Sequence, residues 1–395
     1  MQENYVRVKL EISTNITSEI EIMKIGILTY HRSRNYGAFL QAYSLCQKLN
    51  TEPGIKAEII NFRMQKEVNI YRNSIKKRTL IHPIEEYHTH KTNARQDEGF
   101  HRDFTKLKVS AGECIGDSPD DLAGYIKGKY DVVIVGSDEV WKTDGMRGFP
   151  TPYWLFGDLG CRKFAYAVSA RSDFSKLSTE NQSLLINAVN DFEFIGVRDQ
   201  LTYDEVYKFR TSKDNIVKCC DPSFFNMYEP NKERAAEILS RAKLSSQKKT
   251  IAIMTEEISI VKAIQEKLSK DYNLIAFYQW HPGLIDLTGL SPFEWLDVMA
   301  SVDMVMTSFF HAVCFGVQFG VPLIAFGTPR KSSKLIEVVK DIHREDIYVS
   351  DMNAYMSDTD ISKKIELVIN QTRIPYNVEV SMMAGYFEML IKLRT

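Results

Sequence analysis

Nine short apolar runs, most of them trailed by an amphipathic stretch, recur along this chain, and that rhythm restricts the fold more than any other feature. The runs are KIGILTY from Lys24, KAEIINF from Lys56, DVVIVG from Asp131, KFAYAVS from Lys163, FEFIGVR from Phe192, TIAIMT from Thr250, YNLIAFY from Tyr272, VDMVMT from Val302 and VPLIAFG from Val321. Runs this short and this rich in β-branched residues, alternating with helical spacing, are the pattern of parallel strands joined by crossover helices. Nine strands are too many for one small sheet. A chain of 395 residues also exceeds the size at which one core usually stops growing. The expectation is an α/β protein of two Rossmann-like domains facing a cleft.

The pattern breaks at CCDPSFFNMYEPNKE, where Pro222 and Pro230 each push the preceding residue out of helix. The domains are therefore expected over 23–225 and 226–375, with a hinge near Pro222. Residues 65–108 are polar, His- and Lys-rich and lack period-2 alternation, so they read as a helical or irregular insertion on the first domain. Residues 1–22 read as an extension outside the fold. Residues 376–395 read as a C-terminal helix that packs at the domain junction, on the spacing of Met382, Tyr386, Met389 and Leu390.

Composition narrows the class of function. With 50 basic against 51 acidic side chains, a general nucleic-acid-binding surface is disfavoured. The six cysteines show no C-x-x-C pair and no zinc-ligand spacing, which reads as reduced thiols in a cytoplasmic protein with no metal site. No apolar run approaches the ~20 residues that span a bilayer, and MQENYVRVKLEIS has no signal-peptide core. No G-x-G-x-x-G follows any strand, so a dinucleotide-dependent dehydrogenase is set aside.

In open parallel sheets ligands gather at the carboxyl ends of strands, and four segments occupy such places. The first, LTYHRSRNYGAFLQAY, supplies His31, Arg32, Arg34, Asn35 and Gly37 where a strand enters a helix. Its N-terminal amides and arginines suit an anion, and Gly37 permits close approach; a tight turn with solvated arginines explains the same residues equally well. In VIVGSDEVW, Ser137 and Asp138 are either helix caps or site residues, followed by Glu139 and Trp141. In GVRDQ, Arg198 offers a planar fork for carboxylate or phosphate, or a salt bridge. In MVMTSFFHAVCFGVQFG, Ser308 ends a strand and His311 enters the first turn of an apolar helix, a position that favours ligand contact over a core role.

Together NYGAFLQAY, VGSDEVW, KFAYAVS, GVRDQ, CDPSFF, SPFEWLDVMASVDMVMTSFFHAV and FGVPLIAFG, in this order, resemble the polysaccharide pyruvyl transferase family. The resemblance implies a GT-B-type architecture and transfer of a pyruvyl group from phosphoenolpyruvate to sugar hydroxyls as a ketal, in surface-polysaccharide biosynthesis. It implies no cofactor beyond phosphoenolpyruvate as co-substrate, and no metal in the steps. It implies His311 as the catalytic residue and Arg198, with Asn35, Gly37, Arg32, Arg34 and Ser308, on the donor side. Asp138, Glu139, Trp141 and His281 are expected on the acceptor side or in the cleft, with Asp138, Glu139 and His31 as substitute acids. A sugar acceptor follows, lipid-linked oligosaccharides among the candidates, and with it a location at the inner face of the membrane.

Three departures stand out. Relatives often carry a basic residue just before the histidine, where this chain has Phe309 and Phe310; Glu139 replaces a Gln; Arg171 replaces a Gly. Charge is then expected from Arg32, Arg34, Arg171, Lys331 or Lys334. A GT-B glycosyltransferase using a nucleotide-sugar donor, and a non-catalytic carbohydrate-binding member, remain the alternatives.

Overall fold

The structure, a computed structural model, describes residues 22–73, 83–144, 147–328, 332–377 and 381–395. Residues 1–21, all but the last of the expected extension over 1–22, and Lys331 lie outside the described residues. All nine apolar runs contain strands. In chain order the strands are β1 (Met23–Leu28), β2 (Ile55–Ile59), β3 (Phe62–Arg63), β4 (Cys114–Ile115), β5 (Val132–Val135), β6 (Arg162–Val168), β7 (Phe194–Val197) and β8 (Ile216–Lys218), followed by β9 (Thr250–Met254), β10 (Asn273–Ala276), β11 (Ile285–Asp286), β12 (Met304–Thr307), β13 (Leu323–Phe326) and β14 (Tyr348–Val349). They form two six-stranded parallel sheets, ordered β2-β1-β5-β6-β7-β8 and β11-β10-β9-β12-β13-β14, while β3 and β4 pair separately. Helices cover the sheets, so β5, β7, β9, β12 and β13 are buried at every residue, as parallel strands require. The strand order reverses between β1 and β5 and between β9 and β12, and the crevices at such points receive ligands in this architecture.

The carboxyl ends of the two sheets face each other, and one apolar cluster runs through both halves. Tyr36 stacks on Trp295 with ring centroids 5.1 Å apart, and Phe39 meets Phe293 edge-on at 6.0 Å. The connection near Pro222, expected as a hinge, lies within this packed region. Pro222–Phe225 forms a buried turn packed against the helix Tyr36–Asn50, and Gln318 of the second half donates to the Ser223 carbonyl.

The insertion also differs from its expected placement on the first half alone. Its long helix, Pro83–Phe104, leans across the junction: Gln96 Nε2 donates to the Thr288 carbonyl at 2.9 Å, and Arg95 pairs with Asp286 at 2.7 Å. The C-terminal helix, Ala384–Arg394, returns to the first half. Its last carbonyls, of Lys392 and Leu393, accept from the Arg162 guanidinium, and Gly385 packs against Lys218 and Cys219 at the end of β8.

Candidate active site

Loops from both sheets meet in a pocket between the halves. From the first half come Ser169 and Arg171 after β6, Arg198 and Asp199 after β7 and Asp221 after β8, and from the second half Phe310, Lys334, Glu337 and Asp341; Asp138 and Glu139 after β5 contact Arg198 and Lys334. His311 stands beside the pocket in the first turn of the helix Phe310–Gln318. Its imidazole occupies the space over Gly37, where an added Cβ would lie 2.0 Å from Nδ1. The glycine of NYG therefore serves a close approach from the opposite half. Asn35 caps the helix Tyr36–Asn50, which holds Gly37, accepting from the Ala38 N–H at 3.2 Å.

Asp221 organises the centre. Its Oδ2 accepts from Arg198 Nη1 at 2.8 Å and from Ser137 Oγ at 3.0 Å, and its Oδ1 accepts from the Ser223 N–H. Burial pushes its carboxyl up, but the imidazole of His311 and the guanidinium of Arg198 outweigh that and hold it far below the usual carboxylate range. His311 Nε2 lies 3.7 Å from this fixed anion, beyond hydrogen-bond reach, and is buried without a hydrogen-bond partner. Ser169 Oγ is buried and unpartnered as well. Native structures rarely leave such atoms unsatisfied, so two at one pocket need an explanation, and a bound ligand is one.

Arg171, Arg198 and Lys334 line the pocket together with Asp199, Asp221, Glu337 and Asp341, while Asp138 and Glu139, outside that lining, pair with Arg198 and Lys334. Arg198 is 9% exposed, its guanidinium 4.7 Å from the Phe310 ring centroid and 3.7 Å from Asp138. Lys334 reaches across the junction to Glu139 at 3.3 Å, and Arg171 donates to Ser333 Oγ at 3.2 Å. Burial raises the Glu139 carboxyl, but Lys334, Arg198 and Arg171 prevail and hold it at about 2. Asp138 and Arg171 have φ of 83° and 47°, a left-handed conformation that costs a non-glycine residue ~1–3 kcal/mol and persists where the surroundings enforce it.

Several expected site residues lie elsewhere. Trp141 is fully buried, stacked on Trp154 at 4.6 Å with Nε1 donating to the Tyr153 carbonyl, because its flat apolar surface completes the first half's core. Ser308 is buried and its Oγ meets Thr255 Oγ1 at 3.0 Å. His281 is buried against the Thr255 carbonyl, and burial lowers its pKa. Arg32 lies over Phe104 and bonds Asn61, and Arg34 pairs with Asp97 on the insertion helix, so neither lines the junction pocket. His31 is pushed down to about 4 by burial. Asp221 was the residue sequence reasoning missed: β8 is only Ile-Val-Lys, too short to register as a strand, so CDP read as a linker rather than a strand end. Among the described residues no group of three or more His, Cys, Asp or Glu side chains is arranged to hold a metal ion.

Two Rossmann-like halves with facing carboxyl ends, spanned by a C-terminal helix that returns to the first, define a GT-B-type protein. Solved structures share this fold. UDP-GlcNAc 2-epimerase from Methanocaldococcus jannaschii superposes with a TM-score of 0.56 at 12% identity, covering 94% of this chain and 100% of that one. The Neisseria meningitidis UDP-GlcNAc 2-epimerase bound to UDP-GlcNAc gives 0.51 at 10% identity, with 94% and 100% covered. Comparison with curated protein sequences gave no significant match. The chain belongs to the polysaccharide pyruvyl transferase family, whose model matches residues 35–329. Among the described residues no helix is long and apolar enough to cross a membrane.

Proposed function

We propose that the protein transfers the pyruvyl group of phosphoenolpyruvate to two hydroxyls of a sugar, forming a cyclic ketal in surface-polysaccharide biosynthesis. The observation that supports this best is the unpartnered His311 Nε2 next to a buried Asp221–Arg198 pair, beside a pocket lined by Arg171 and Lys334. Arg171 and Lys334 clamp the donor's phosphate and carboxylate. Arg198 is largely committed to Asp221, so it acts at the donor side through the alignment of that carboxylate and through its remaining N–H groups.

A proton carrier near neutral pH is required, because the methylene carbon of the donor must be protonated. Glu139 is held ionised, and His31 is held neutral by burial. His311, whose Nε2 meets no protein acceptor beside the pocket, is the group we assign as the acid. Protonation of the methylene carbon leaves an oxocarbenium-like centre at C2. One sugar hydroxyl bonds to that carbon, the C–O bond to phosphate breaks, and the second hydroxyl closes the ring. Of the two hydroxyl protons, one restores the acid and one leaves with phosphate.

The test is incubation with phosphoenolpyruvate and a panel of nitrophenyl and lipid-linked glycosides. Inorganic phosphate release with a product heavier by one pyruvyl ketal is expected. Release of a nucleoside diphosphate from a nucleotide sugar instead would identify a glycosyltransferase.

A further inference from the structure

A second pocket opens in the first half alone, on the other side of the loop that carries Glu139. It is lined by Tyr30, Arg32, Ser33, Arg63, Glu67 and Arg147, among others. Its arginines are held in a way that leaves donors over. The guanidinium of Arg32 lies 3.9 Å from the centroid of the Phe104 ring, and that of Arg147 lies 4.0 Å from the centroid of Tyr30. A guanidinium stacked on an aromatic face keeps its in-plane N–H groups for a ligand. Arg32 uses Nε on Asn61 and Glu113, and Arg147 uses Nε on Glu67. The terminal nitrogens of both meet no protein acceptor among the described residues. Arg63 shares Glu113 with Arg32, so among the described residues three guanidiniums pair with two carboxylates at this pocket. His31, at the same pocket, adds hydrogen bonds to Thr29 and Asn61 that stiffen the wall.

This pocket adjoins the reaction site through one loop. Tyr30 Oη donates to the Glu139 carbonyl at 3.3 Å, and Thr29 Oγ1 donates to the Ser137 carbonyl at 3.0 Å. A saccharide lying along that loop would carry its reacting hydroxyls toward His311 and a second group toward the arginines. Resting on the proposed transfer to a sugar, we infer that this pocket binds an anionic group of the acceptor, a carboxylate of a uronic acid or a phosphate at its anomeric end. Planar, forked N–H donors on fixed rings suit both oxyanions.

Calorimetric titration tests the inference without any transfer reaction. The probes are glucose 1-phosphate, methyl β-D-glucuronide and uncharged methyl β-D-glucoside, and whichever charged probe binds tighter identifies the anion. At least one charged probe is expected to bind tenfold or more tighter than the glucoside. Ser33→Trp, which fills the mouth and leaves every ion pair intact, and Arg147→Gln are each expected to remove that advantage, whereas Lys334→Ala in the junction pocket retains it. Equal binding of all three probes, or an advantage that survives Ser33→Trp, or one lost only with Lys334→Ala, would overturn it. These readouts stand whether or not phosphoenolpyruvate proves to be the donor.

Discussion

His311 is positioned by shape as well as by charge: Gly37 makes room for the ring, and Asp221 supplies an anion to one of its nitrogens. His311→Gln keeps size and hydrogen bonding but cannot cycle a proton near neutral pH, so turnover should fall by ~10²–10⁴-fold. The thermal midpoint should stay within a few degrees of wild type. A variant that retains most of the pyruvyl-transfer rate would reduce His311 to a positioning residue. Gly37→Ala separates geometry from helix propensity. In an exposed helix interior alanine would be favoured by about 1 kcal/mol, yet here its Cβ would strike the imidazole. The variant should lose activity more severely than urea stability, and equal kcat with equal midpoint would mean the ring moves freely. At this scale the sequence was partly legible. Gly37 was readable as a close-approach site because the turn around it is polar and cationic, but the partner it admits comes 274 positions later in the chain, at His311. That Arg32 and Arg34 lie away from the junction pocket was not legible, because side-chain type does not reveal which face of a loop a residue takes.

The halves are joined by elements that the apolar rhythm could not reveal. The strands legible from sequence are those whose buried runs are long enough to stand out, whereas β8, β11 and β14 have only two or three residues each and polar members among them. The insertion helix was legible only as polar chain, since its contacts with the second half are mostly hydrogen bonds. Asp103 near its end illustrates the consequence. Its Oδ2 accepts from the Phe293 N–H at 2.9 Å, in the first turn of the helix Pro292–Ser301, and the side chain is 1% exposed. A first-turn N–H has no partner within its own helix, so the first half completes the N-terminus of a helix in the second. Asp103→Ala should cost about 1–3 kcal/mol by leaving that donor buried and unpaired. Asp103→Asn keeps an acceptor and should lose less. Urea unfolding gives both values, and identical midpoints for Asp103→Ala and wild type would show that the contact contributes nothing.

At the scale of the whole molecule, the helix Ser332–Asp341 ties the second half to the first beside the junction pocket. Lys334 meets Glu139, Ser333 meets Arg171, and Glu337 accepts from both the Gln200 N–H and Lys218. The Glu139–Lys334 pair carries the pH dependence of this link. Lys334 is pushed down by burial, with Glu139 opposing that and Arg198 and Arg171 repelling it; Glu139 meets those same three cations, which outweigh its own burial. The dominant shift is therefore that of the carboxyl, from an ordinary 4.5 down to about 2. A depressed carboxyl stabilises the folded state fully above its unfolded value, and that contribution fades as pH falls from about 4.5 toward 2. Glu139→Gln removes the titrating group while leaving a polar side chain. The unfolding free energy of wild type should exceed that of the variant near pH 6 by on the order of 1–3 kcal/mol, and the difference should shrink at pH 4 and further at pH 3. Urea titrations of both proteins at the three pH values measure it. A difference that stays constant with pH would mean that Glu139 keeps its ordinary titration and that the helix is held to the first half by its other contacts.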